Sequence, residues 1–232
     1  MRNFAKMSLF VLLTFCFQLA AFAQDTRTED RQPGAFNAIK CSGSFDLVLE
    51  KGNKESIHIE AKNIALEDII TEVKDGTLDI RLKNGSYRNI EVKMTITFDK
   101  INALHSSGSS EIVSNAVIKS DKFDLKLSGS GDVKAKLDVD LLNLSISGSA
   151  DADLSGEAKS QEISLSGSGD VDAADLKSET AIIRISGSGD VKVYAQKELD
   201  AKVSGSGNVS FKGEPEKQMF KSSGSGSIVK MN

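Results

Sequence analysis

The sequence predicts an all-β protein: a parallel β-helix, or β-solenoid, with repeats of about 19 residues bearing Ser-Gly-Ser-Gly turns, preceded by an N-terminal β-rich half. Three observations predict it. A Ser-Gly-Ser motif returns seven times between Ser107 and Gly226, five times as Ser-Gly-Ser-Gly and once each with Ser110 or Ala150 in the last place. Apolar residues alternate with polar ones on both sides of each motif, which is the period of a strand with one face buried. Glycine is abundant, whereas only two prolines occur in 232 residues, a balance that suits regular strands joined by tight turns.

The first element is a leader. Arg2 and Lys6 form a positive start, Met7 to Leu19 is mostly apolar, and Ala21-Phe22-Ala23 supplies a small-residue cleavage site. Residues 1–23 therefore read as a signal peptide and not as a membrane anchor, because the apolar run is short and ends at a cleavage site. The mature chain is expected to be exported, to the periplasm, the outer-membrane surface or the medium, with no transmembrane anchor. Cys16 leaves with the leader, so Cys41 is the one thiol of the mature chain. One thiol cannot staple a fold, and Cys41 is expected to be a small buried residue on a strand. Removing Arg2 and Lys6 takes the net charge from −4 to −6, and no long single-sign run follows. That balance argues against nucleic acid or an anionic membrane surface as the main partner.

Residues 24–34 are polar and aperiodic and read as a flexible lead-in. The N-terminal β-rich portion spans 35–105. Phe45, Leu47 and Leu49 share one face of a strand, as do Ile57, Ile59 and Ala61. Ala65 to Ile70 has the makings of a short helical turn. Asp75-Gly76 is a turn signal, followed by Leu78, Ile80 and Leu82 at period two. Asn84-Gly85 marks another turn, and Ile90 to Phe98 is expected to be the longest alternating strand.

The repeat portion spans 106–232, and 35–232 is expected to form one continuous domain. The first glycines of the motifs are Gly108, Gly129, Gly148, Gly167, Gly187, Gly205 and Gly224, separated by 21, 19, 19, 20, 18 and 19 residues. Alternating apolar residues precede each motif (Leu142, Leu144, Ile146) and a second short alternation follows it (Val133, Ala135, Leu137). Each unit is thus strand, Ser-Gly corner, strand and return. Helical repeats of this length would space apolar residues at 3.6 and avoid glycine. Glycine at the corner supplies positive φ or close backbone approach, and serine offers a hydroxyl to backbone groups left unpaired there.

After the corner comes Asp132, Asp151, Asp170 or Asp190, with Asn208 and Ser227 in the same place. Two readings stand. The column caps turns, a job that Asp, Asn and Ser share. Alternatively, Asp132, Asp151, Asp170 and Asp190 are ligand-binding carboxylates, for calcium or another ligand. Carboxylates one rung apart repel by about 0.9 kcal/mol in water at ~4.8 Å, which an exposed surface tolerates. Calcium-binding β-rolls carry a glycine- and aspartate-rich nonapeptide, and the period here is about twice that.

No catalytic constellation stands out, and no cofactor or metal is expected. The histidines His58 and His105 belong to no metal-ligand spacing. The Gly-x-Gly runs lead into strands and recur in every unit, so they are not dinucleotide loops. Tyrosine and phenylalanine are too few for a row of sugar-stacking platforms.

Taken together these residues carry a resemblance. They are Phe36-x-x-Ile39-x-Cys41-x-Gly43-x-Phe45-Asp46-Leu47, the Asp75-Gly76-Thr77-Leu78-Asp79-Ile80 turn and strand, and the strand from Ile90 to Phe98. The Ser-Gly-Ser-Gly-Asp-Val series and Lys212-Gly213-Glu214-Pro215 complete them. Over about residues 35–230 the chain resembles the bacterial family described as putative auto-transporter adhesin, head GIN domain. The resemblance implies an exported β-solenoid protein of the kind common in Bacteroidetes. It implies no catalytic or binding residue. Self-export by an autotransporter also needs a C-terminal membrane β-barrel, and the repeats run to Asn232, so self-export is not expected.

Three functions compete. The first is an exported, non-enzymatic envelope or surface protein, an adhesin for a glycan or protein ligand. The second is a structural envelope protein that self-associates through an open end of the solenoid, where Met219-Phe220 either caps the last rung or makes the contact. The third is a polysaccharide-active enzyme on a β-helix, in which Asp170 and Asp190 would carry activity.

Overall fold

The computed structural model describes residues 26–231. The expected signal peptide lies outside them. The N-terminal part comprises β1 (Arg27–Arg31), β2 (Ala38–Gly43), β3 (Asp46–Lys51), β4 (Ser56–Lys62), a 3-10 turn (Leu66–Asp68), β5 (Ile69–Lys74), β6 (Thr77–Leu82) and β7 (Glu91–Phe98). The repeats follow as β8 (Ala103–Gly108), β9 (Glu111–Gly129), β10 (Asp132–Gly148), β11 (Asp151–Gly167), β12 (Val171–Gly187), β13 (Val191–Tyr194), β14 (Glu198–Gly205), β15 (Val209–Lys212), β16 (Lys217–Gly224) and β17 (Ile228–Lys230).

These strands form two continuous flanks of one solenoid. The first flank runs β5, β6, β2, β8, then the second halves of β9 to β12, then β14 and β16. The second runs β1, β4, β7, β3, then the first halves of β9 to β12, then β13, β15 and β17. From β6 and β7 onward every pairing along both flanks is parallel. A Ser-Gly corner carries the chain from the first flank to the second. The expected return is not a loop in β9 to β12. Each stays in strand pairing around the far side for 17 to 19 residues, so these strands, and not the Ile90–Phe98 segment, are the longest.

The register accounts for the uneven period. Between β9 and β10 the pairing jumps from Val113↔Lys134 to Val117↔Lys136, which places two extra residues in the 21-residue unit. Between β11 and β12 it jumps from Asp153↔Asp172 to Ser155↔Asp175, which places one extra residue in the 20-residue unit. Both are β-bulges, which absorb insertions without breaking a ladder.

The N-terminal half is not a separate architecture. Ser42-Gly43-Ser44 is an eighth corner, and Gly43 pairs in register with Gly108. Between these two corners the chain inserts β4 to β7. There β4 runs antiparallel to β7, and β5 antiparallel to β6 across the two-residue Asp75-Gly76 turn. Asp75 and Gly76 have φ of 49° and 73°, the left-handed pair such a hairpin turn demands.

The expectation of a flexible lead-in over residues 24–34 is corrected in part. Arg27–Arg31 is a strand, paired antiparallel with β4 from Arg27↔Ala61 to Arg31↔Ile57. Arg31 anchors it further by donating to the carbonyls of Leu66 and Ile69. The strand is polar because it is an edge with most side chains in solvent.

Inward side chains stack in columns. Phe123, Leu142, Gln161, Ala181 and Leu199 form one, and Leu125, Leu144, Ile163, Ile183 and Ala201 the next, all buried. Burying each Leu or Ile contributes about 2 kcal/mol. Gln161 is the polar exception. Its amide donates to Ser178 Oγ (2.9 Å) and to the Tyr194 carbonyl (2.9 Å), where the strand pairing stops and the chain turns back. At the last rung the equivalent inward positions become Gln218, Phe220 and Ser222. Two of these positions have turned polar, whereas Phe220 stays apolar and is exposed.

Candidate functional site

The predicted carboxylates do come together. Asp132 and Asp151 are in register, and all four of Asp132, Asp151, Asp170 and Asp190 are exposed. The side chains of Asp151, Asp170 and Asp190 form a ladder. Asp151 Oδ1 accepts from the Asp170 amide (2.7 Å), and Asp170 Oδ1 from the Asp190 amide (2.8 Å). Asp190 Oδ1 accepts from the amide and side chain of Asn208, and Asn208 Oδ1 from the amide and hydroxyl of Ser227. Each side chain satisfies the backbone donor one rung on. Asn208 does so without charge. Cations stand beside the column but are already paired: Lys134 with Asp153 at 2.7 Å and Lys192 with Asp172 at 3.0 Å. Among the described residues, no group of three or more His, Cys, Asp or Glu side chains is placed to hold a metal ion.

The corner glycines explain the exposed serine rows. The Gly of every corner, from Gly43 to Gly224, has positive φ between 118° and 147°. A Cβ on Gly148 would also lie 2.4 Å from the Gly129 carbonyl oxygen, so stacked corners leave no room for a side chain. The residues on either side point outward. Ser42, Ser107, Ser128, Ser147, Ser166, Ser186, Ser204 and Ser223 thus stand in one column along the first flank.

A second column stands two residues earlier on the same outer face. It reads Lys40, His105, Lys126, Ser145, Ser164, Arg184, Lys202 and Lys221, each in register with the next. It holds no carboxylate. Sequence reasoning missed it because its members lie one per repeat, about 19 residues apart, so no local run of charge marks them. Arg184 reaches Asp200 at 2.6 Å. Burial lowers the pKa of His105 and the neighbouring Lys126 lowers it further; Asp124 pulls the other way, and Lys40 adds a weaker lowering. A shallow groove of about 730 Å³ lies over the C-terminal part of the two columns, lined by Ser145, Ser164, Arg184, Lys202 and Lys221 among others.

The other reactive side chains are spent locally. Cys41 is fully buried and lies 3.3 Å from Ser110 Oγ; burial pushes its thiol up to about 11. A thiol so placed is a poor nucleophile. His58 Nδ1 meets Asp30 Oδ1 at 2.6 Å on the exposed side of β4. Among the described residues, no helix is long and apolar enough to cross a membrane.

Known structures share the fold. A putative adhesin from Bacteroides fragilis superposes with a TM-score of 0.82 at 23% identity, covering 90% of this chain and 98% of that one. A putative lipid binding protein from Parabacteroides distasonis gives 0.74 at 24% identity, and a putative adhesin from Parabacteroides merdae 0.70 at 20%, each over the same shares of the two chains. No curated protein matches the chain. One family's sequence model matches residues 35–215, which hold β2 through β15 and the Ser-Gly corners from Gly43 to Gly205. The chain belongs to that family, the one described as putative auto-transporter adhesin, head GIN domain.

Proposed function

We propose that the mature chain is an exported, non-enzymatic module of the cell envelope or surface that holds a glycan or protein ligand against the flank of its solenoid. The observation that carries this reading is the repetition on the first flank. The corner geometry presents the same residue type at the same place on eight rungs, so the protein offers an extended exposed strip instead of a single deep site. Membership in an adhesin family supports it, as does the leader read from Arg2 to Ala23. The side chains that enzymes use elsewhere have structural partners here: Asp170 and Asp190 cap the next rung, and Cys41 packs in the core. We read the Asp column as turn capping, with ligand binding there as the minor alternative.

The test is a binding screen of the purified mature protein against neutral and acidic glycans and extracellular matrix proteins, with a parallel assay for polysaccharide cleavage. Saturable binding without turnover is the expected result. Turnover abolished by Asp170→Ala would replace this reading with the enzymatic one.

A second reading has one observation in its favour. Met219, Phe220 and Val229 are exposed on the last rung, and β16 presents an open edge. Self-association through that end would make the protein structural. Light scattering at high concentration tests it: a strict monomer removes it.

A further inference from the structure

We propose that the first flank is a docking face for an acidic polysaccharide, a chain of sugars bearing carboxylate or sulfate groups, held by Lys126, Arg184, Lys202 and Lys221 along the serine column. This rests on the reading above that the flank binds a ligand, and narrows its chemistry.

Charge arrangement carries the argument. Elsewhere on the solenoid, many cations are answered by an acid one rung away, among them Lys119 by Asp138, Lys159 by Asp140, Lys197 by Glu179 and Lys217 by Glu198. Such pairing is what a parallel ladder favours, because in-register neighbours of like charge repel. At one end of the Lys40–Lys221 column Lys40 follows that pattern, in register with Asp79 at 3.9 Å, but the C-terminal part of the column breaks it. Arg184, Lys202 and Lys221 are stacked cation on cation, and Lys126 stands two serines away. At ~4.8 Å per rung, the three stacked cations span roughly 10 Å. Among the described residues, Lys126, Lys202 and Lys221 have no ion-pair partner. The acids one column over are Asp124, Glu162 and Asp200. Asp200 is engaged by Arg184, and Asp124 by Lys122 and Asn143, which leaves Glu162 as the free one.

The shape matches an extended ligand. Between the cations lie Ser145 and Ser164, with the corner serines alongside, so the strip between Lys126 and Arg184 carries short side chains, although Ile146, Leu165, Ile185 and Val203 also line the groove and much of its surface is apolar. Hydroxyls suit sugar hydroxyls as donor and acceptor alike, and lysines at rung spacing suit a ligand whose charges also repeat. The overall negative charge of the protein does not forbid this, because screening at physiological salt limits distant charges to about 8 Å. The lack of aromatic platforms on this face argues against nucleic acid, whose single strands bind by base stacking.

The test measures affinity of the mature protein for polygalacturonate, dextran sulfate and neutral dextran at physiological salt, with phosphatidylglycerol vesicles and duplex DNA as rival polyanions. The variants are Lys202→Glu/Lys221→Glu, Lys126→Glu, and a charge-matched control, Lys54→Glu/Lys136→Glu, at exposed sites away from the column. All change solvent-exposed side chains, and an unchanged melting curve checks that each folds. The proposal predicts binding to one or both acidic polysaccharides and not to dextran. It predicts a loss of about tenfold or more in the Lys202→Glu/Lys221→Glu variant, a smaller loss for Lys126→Glu, and little change in the control. Equal losses in both double variants would overturn it, as would no affinity for the acidic polysaccharides or tighter binding to vesicles or DNA. Binding to neutral glycans or proteins alone would overturn this inference while leaving the proposed function standing; binding to nothing would remove both.

Discussion

Gly148 shows how tightly single residues are specified. Its φ of 122° is closed to side chains, and an added Cβ would strike the Gly129 carbonyl at 2.4 Å. Gly148→Ala should destabilise the protein by about 2 to 4 kcal/mol in urea unfolding. Ala150→Gly, two residues on in a column that already holds glycine, serine and alanine, should cost about 1 kcal/mol. The Asp ladder makes a complementary prediction. Asp170→Asn keeps the acceptor that caps the Asp190 amide, as Asn208 does for Ser227, and should change stability by less than about 0.5 kcal/mol. Asp170→Ala removes the acceptor and should cost about 1 kcal/mol by the same measurement. Cys41 ties stability to pH. Burial raises its folded-state pKa from 9.0 to about 11, so the folded protein holds that proton more tightly than the unfolded chain. Stability is therefore full below about pH 9 and falls as pH climbs towards 11, by about 2 to 3 kcal/mol. Urea unfolding at neutral and alkaline pH should show this slope in the wild type and a shallower one in Cys41→Ala.

At the scale of elements, interior and end rungs differ. Leu144 is buried between Leu125 and Ile163, and Leu144→Ala should cost about 3 kcal/mol in equilibrium unfolding. Phe220 is 43% exposed on the last rung and touches Phe211 with ring centroids 5.8 Å apart; Phe220→Ala should cost clearly less. What the sequence made legible follows the same division. The repeats from Ser107 onward were readable because glycine is obligatory at each corner, and a backbone constraint leaves a mark at every recurrence. Gly43 escaped that pattern because the β4–β7 insertion separates it by 65 residues from Gly108, although the two pair directly. β1 was unreadable because an edge strand needs no apolar alternation, and Arg27–Arg31 has none. The Asp column was visible because its residues follow the glycine motif at a fixed offset. The cation column was not, since only parallel stacking in register brings Arg184, Lys202 and Lys221 side by side.

For the whole molecule, the solenoid separates two tasks. The interior and the corner backbone hold the fold, through aliphatic columns, carbonyl-to-amide ladders and the Asp–Asn–Ser caps. The outer face of the first flank carries no such burden, and there Arg184, Lys202 and Lys221 are stacked cation on cation. In the proposed function the protein acts through this long surface, which then has to stand where its ligand is. The proposed adhesion role is thus a proposal of place as well as shape, in which the strip faces the outside of the cell. Protease shaving of intact cells, followed by fractionation and detection of the mature chain, tests it most directly. The account predicts that the protein is lost from intact cells while periplasmic markers survive. Protection of the chain until the outer membrane is broken would contradict it and move the structural reading to first place.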